Sequence, residues 1–155
     1  MEITQAINIL YENEDEQIST IYDSKPEVAT ALNTLIQGFE YPSHSHKTIK
    51  AVLLGYFLKA SKEVDLGRTL CHHALMGHCE EKGIDLMQFF YNHSQGNWGI
   101  LTDDDQIANY VALHTKQGRL LSKYKIAGGK PIYLITDFES EEQERMTTAM
   151  FISDY

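Results

Sequence analysis

Residues 119–136 read RLLSKYKIAGGKPIYLIT, two runs rich in β-favouring residues on either side of Ala127-Gly128-Gly129-Lys130. Paired glycines supply the backbone freedom that a tight turn demands, so the segment predicts a β-hairpin with strands over 119–126 and 131–136. Successive side chains of a strand point to opposite faces. Leu120, Ser122, Tyr124 and Ile126 therefore share one face, and Lys123 and Lys125 share the other with Leu121. A third apolar run, Met146 to Ile152, follows the acidic loop Glu139 to Glu144. Three sequential strands joined by short links predict an antiparallel meander with helices on one face.

Upstream, the apolar period becomes helical. Ile3, Ala6, Ile7 and Leu10 form a short stripe that runs into the acidic stretch Glu12 to Glu16. Ser24-Lys25-Pro26-Glu27 has the spacing of a capping box, with proline in the first turn, where its missing N–H would be unpaired anyway. Val28, Leu32, Leu35, Ile36 and Phe39 follow on one face, and Ile49, Val52, Leu53, Tyr56, Phe57 and Ala60 predict a further core helix. After Leu66, residues 67–71 read as a short strand or an irregular link. Residues 74–82 read as a helix closed by Gly83, and Asp85 as the cap of the next, with Leu86, Phe89 and Phe90 inward. Gly96-Asn97-Trp98-Gly99 is a turn, and Thr102 caps a helix with Asp103, Asp104 and Asp105 in its first turn, ended by Gly118. The expected fold is α+β: a helical extension over 1–65, then an α+β domain over 66–155 with helices on a three-stranded antiparallel meander, packed as one body.

The 155 residues carry 22 acids against 13 bases, a net charge of −9. Phosphate binding runs on clustered Lys and Arg, so the balance argues against direct binding of nucleic acid or an anionic membrane. No apolar run approaches the ~18 residues of a membrane helix, and Met1-Glu2-Ile3 does not open a signal peptide. Two cysteines, Cys71 and Cys79, are too few for a disulfide framework, so a reducing cytoplasm is expected.

Trp98, Asn109, Arg119, Ser122 and Tyr124 are the candidate ligand-binding set, a polar pocket with an aromatic wall. The competing reading is structural. Trp98 would plug the helix layer, Asn109 would bond the backbone of the 96–99 turn, and Arg119 would pair with Asp105 or a helix end. Asn109 stands mid-helix, where its propensity is poor, so something beyond helicity favours it. Ser122 with His93 or His114 as base lacks a Gly-x-Ser-x-Gly elbow and lies within a strand, so no catalytic residue is assigned. Cys71, His72, His78 and Cys79, with His44 and His46, are the nearest approach to a zinc set. Their spacing matches no standard finger, and neither metal nor cofactor is expected.

From Leu66 onward the chain resembles a small family carried by bacterial plasmids, phages and integrated elements, whose members are labelled plasmid-related protein or attached loosely to type I restriction systems. The resemblance rests on Leu66-Gly67, Ala74-Leu75, Phe90, His93, Gly96-Asn97-Trp98-Gly99, Asp105, Asn109 and Ala112-Leu113. It continues through residues 118–122, Tyr124, residues 132–136, Thr147-Thr148 and Asp154-Tyr155. Asn97 departs from the family's usual Gly-Asp-Trp-Gly. Residues 141–146 replace its usual Asp-Arg-Ser, with only Arg145 near the place of that arginine. The resemblance implies a mobile-element context and no reaction. With the acidity, it leads to the expectation of a non-enzymatic protein-binding accessory of a phage or plasmid. Its partner would be a host protein, a nucleic-acid-binding defence component among the options, and Glu139, Glu141, Glu142 and Glu144 the contact residues. The alternative is a small-ligand-binding protein or enzyme using the pocket around Trp98, Asn109, Arg119 and Tyr124.

Overall fold

The computed structural model describes residues 1–13, 25–40, 46–57, 62–138 and 144–155. The chain forms two compact units, Met1–Ser61 and Lys62–Tyr155. The second begins four residues before the boundary expected after residue 65, and Val64 N–H already donates to Ser94 O there.

The first unit is helical: α1 (Ile3–Glu12), α2 (Pro26–Glu40) and α3 (His46–Phe57). Each buries the face its apolar spacing marks out. Ala6, Ile9 and Leu10 on α1, Val28, Ala31, Leu32, Leu35 and Ile36 on α2, and Ile49, Val52, Leu53, Tyr56 and Phe57 on α3 are buried. Pro26 opens α2 as the first-turn rule requires; the capping Ser24 lies outside the described residues.

The second unit runs β1 (Arg68–Cys71), α4 (His73–Lys82), α5 (Met87–Ser94), α6 (Asp103–Thr115), β2 (Arg119–Tyr124), β3 (Ile132–Asp137) and β4 (Met146–Phe151), closing on a 3-10 turn at Ile152–Asp154. The α+β class holds, and β2, β3 and β4 form the expected meander, with Tyr124 opposite Ile132 and Thr136 opposite Thr147. The sheet as a whole corrects the three-stranded expectation: it is four-stranded and mixed, in the order β1-β4-β3-β2. β1 lies parallel to β4, Arg68 against Met146 and Cys71 against Ala149. Residues 68–71 alternate too weakly to announce a strand. Backbone pairing recruits them, through Arg68 N–H to Arg145 O and His72 N–H to Ala149 O, from a partner far away in sequence.

Local signals set the helix ends. Gly83 takes the left-handed conformation at φ 65° and closes α4 by donating to Cys79 O. Thr102 Oγ1 accepts from Asp105 N–H at the start of α6. At the other end of α6, Lys116 at φ 56° takes the left-handed role expected of Gly118. The inward faces of α4, α5 and the sheet meet in a core of Leu75, Cys79, Phe90, Tyr124, Ile126, Ile132, Leu134 and Ala149. Among the described residues, no helix is long and apolar enough to cross a membrane.

Candidate functional site

β2 is a margin of the sheet, paired on one side with β3. Unpaired strand edges invite foreign strands, and proteins close them. Here Asn109, on the inner side of α6, does so with its side-chain amide. Leu121 N–H donates to Asn109 Oδ1 at 2.9 Å, and Asn109 Nδ2 donates to Leu121 O at 2.7 Å. The amide thus replaces a peptide group of a neighbouring strand, which explains an asparagine in mid-helix. One step along, Lys123 N–H donates to Trp98 O and Ile100 N–H to Lys123 O, so the turn after α5 continues the closure. Gly99 is required at that crossing: at φ 76°, a Cβ there would stand 2.1 Å from Lys123 O.

Asn109 therefore does not bond the 96–99 turn, as the structural reading had it. Tyr124 takes that part, its hydroxyl donating to Asn97 O. Trp98 is 5% exposed and meets Tyr110 edge to face at 5.2 Å, with the Lys62 ammonium 5.9 Å from its ring centre. Its indole N–H is buried without a hydrogen-bond partner among the described residues.

Ser122 lies at the head of a buried polar chain. His93 Nδ1 is 2.5 Å from Ser122 Oγ, and His93 Nε2 is 2.8 Å from Thr136 Oγ1. Thr136 Oγ1 is 2.7 Å from Thr147 Oγ1, which donates to Leu66 O at 2.8 Å. His93, Ser122, Thr136 and Thr147 are all 0% exposed. His93 and Ser122, 29 residues apart, form no catalytic motif in the sequence, and the structure brings them together. A readable signal existed: His93 continues the inward face of Phe89 and Phe90, while Ser122, Thr136 and Thr147 take inward strand positions where apolar residues belong. Polar residues on one buried face must satisfy one another. The pair is no nucleophilic site as it stands, because a neutral threonine holds the place of the acid and both partners are sealed from solvent. Burial pulls His93 down to about 4 and pushes Tyr124 up to about 12.

Arg119 stands apart on the surface. Rather than pairing with Asp105 or a helix end, its guanidinium lies 4.9 Å from the Tyr155 ring centre, and Tyr155 meets Tyr133 edge to face. Of the contact residues expected in the acidic loop, Glu139, Glu141 and Glu142 lie outside the described residues, and Glu144 is exposed. Arg145 lies over Phe138 and donates to Asp65 O.

The zinc candidates are dispersed. Cys71 and His72 line an open cleft of about 660 Å³ together with His73, Ala74, Thr148 and Asp154. His78 instead bonds Ala127 O of the hairpin turn, and Cys79 belongs to the core. Burial pushes the Cys71 thiol up to about 11, away from the thiolate that zinc binds. Among the described residues, no three His, Cys, Asp or Glu side chains are grouped to hold a metal; His44 lies outside them, and His46 stacks on Phe39. The site is thus an edge lock joined to an internal hydroxyl–imidazole chain. Comparison with family models, with curated proteins and with solved structures finds no match to this chain.

Proposed function

We propose that the chain is a non-enzymatic, acidic protein-binding accessory of a phage or plasmid, acting in the bacterial cytoplasm on a host protein of a defence system. One observation carries this reading: three of the five candidate side chains are engaged within the protein. Both amide atoms of Asn109 serve Leu121, Ser122 serves His93, and Tyr124 serves Asn97. The residues that carry the family resemblance, His93, Asn109, Ser122, Tyr124, Thr136 and Thr147 among them, coincide with these internal bonds. The shared pattern then maintains a fold, and recognition falls to the surface. That surface belongs to a protein of net charge −9, suited to a basic partner such as the channel of a nucleic-acid-binding enzyme.

The test is capture of the partner from host lysate, followed by association kinetics against salt with Glu141, Glu142 and Glu144 changed to Gln. Association is expected to slow as salt screens the charges, and the triple variant to lose on-rate at low salt. Binding indifferent to both would remove this reading. The alternative, a small-ligand-binding protein or enzyme using a pocket around Trp98, Asn109, Arg119 and Tyr124, draws on the indole N–H, which has no hydrogen-bond partner among the described residues. It is supported by a ligand whose binding Trp98→Phe abolishes.

A further inference from the structure

The buried chain has a direction, and its far end sets it. A carbonyl only accepts, so Thr147 must donate to Leu66 O. Thr136 then donates to Thr147, and His93 donates through Nε2–H to Thr136. Nδ1 remains as the acceptor for the Ser122 hydroxyl. Burial keeps the imidazole neutral, so it stands in its Nε2–H tautomer. The three hydroxyls and the neutral imidazole supply one proton to each of the four links from Ser122 to Leu66 O. An added proton has one place to go, Nδ1, and the Ser122 hydroxyl must then turn its own proton away and accept from the ring.

We propose that this chain is an acid-sensitive latch, which holds α5 and the Trp98 turn on the sheet and releases them when His93 takes a proton at Nδ1. Turning Ser122 satisfies the hydrogen bonds of an imidazolium but brings it no counter-charge. The groups around it are Ser122 and Tyr124 from β2, Thr136 from β3 and Thr147 from β4, with Cys79 of α4 in the adjoining core. Tyr124 and Cys79 are the titratable ones, and burial raises both, so both are neutral in acid. An imidazolium among neutral groups in a sealed interior favours any opening that hydrates it. Burial alone lowers His93 from 6.5 to about 4. Linkage then raises the ratio of open to closed protein about a hundredfold between pH 7 and pH 4.

Trp98, the single tryptophan of the chain, follows α5 directly and reports its release. An acid titration of its fluorescence is expected to show a transition in the window where His93 protonates. In His93→Gln, which is neutral at every pH, that transition is expected to move to lower pH. At neutral pH, long-range nitrogen NMR of the wild-type ring is expected to show protonated Nε2 and bare Nδ1. An Nδ1–H tautomer, a ring that titrates near 6.5 while the protein stays closed, or an unshifted midpoint in His93→Gln overturns the latch. Should His93→Gln fail to fold, the wild-type ring titration decides alone.

Discussion

The helical unit Met1–Ser61 and the sheet-bearing unit Lys62–Tyr155 bury different chemistry. Among the described residues, the buried side chains of the first are aliphatic or aromatic, from Ala6 to Phe57. The buried polar ones, His93, Asn109, Ser122, Thr136 and Thr147, all belong to the second. An apolar interior is held by area and tolerates substitutions that keep volume and pattern. A polar interior is held by pairing, and a member left alone costs its full desolvation. The second unit is accordingly the more specified, and the proposed latch places the sensitivity to acid there.

The largest test of that contrast removes bulk from each interior. Trp98→Ala is expected to destabilise by about 3–5 kcal/mol, and Leu53→Ala in the first unit by about 2–5 kcal/mol, both measured by denaturant unfolding. The contrast lies in acid: only Trp98→Ala, which loosens the turn after α5 and lets water reach His93, should also flatten the loss of stability below neutral pH. Equal pH profiles for the two variants would break the comparison.

Next comes pH itself. His93 is a base whose folded pKa is lowered, so the unfolded chain takes its proton first. Its contribution is complete above about pH 6.5 and is lost as pH falls towards 4. That difference corresponds to about 3 kcal/mol. Segment-resolved hydrogen exchange is expected to show α5 and β2 losing protection in this window ahead of α1–α3. Simultaneous loss in both units would contradict the assignment of the sensitivity to the polar interior.

A smaller effect belongs to the edge lock. Asn109→Ala leaves Leu121 N–H and C=O without their partner and should cost about 1–3 kcal/mol. Because it uncovers a strand edge, it should also raise self-association at high concentration, seen by light scattering. Asn109→Asp, which sets a buried carboxylate oxygen against Leu121 O, should cost at least as much as alanine at neutral pH. An aspartate variant as soluble and stable as wild type would show that the Leu121 O contact contributes nothing. The smallest effect is on the surface: Glu144→Gln should change stability by no more than about 0.5 kcal/mol, and any change in partner binding would then be a surface effect alone.

The contrast also explains what could be read ahead of the structure. Val28, Leu32, Leu35 and Ile36 announce their helix by spacing, and the 119–136 hairpin by alternation around Gly128-Gly129. The candidate set was found as residues but not as an arrangement. Asn109 stands out in the sequence for its poor helical propensity, yet its partner is Leu121 and not the 96–99 turn. His93 and Ser122 lack the sequence spacing of a catalytic pair and are instead a buried hydrogen-bonded one.

By itself, then, the sequence determined the α+β class, the helical first unit, the hairpin and the caps at Gly83 and Thr102. These depend on side-chain periodicity and turn chemistry within a few residues of each position. Tertiary structure alone decided the parallel pairing of β1 with β4, the amide that closes the β2 edge, and the chain from Ser122 through His93 to Leu66 O. A hydrogen bond between residues distant in the chain leaves no periodic trace. It needs two directional groups within about 3 Å of each other, and only the folded backbone sets that distance.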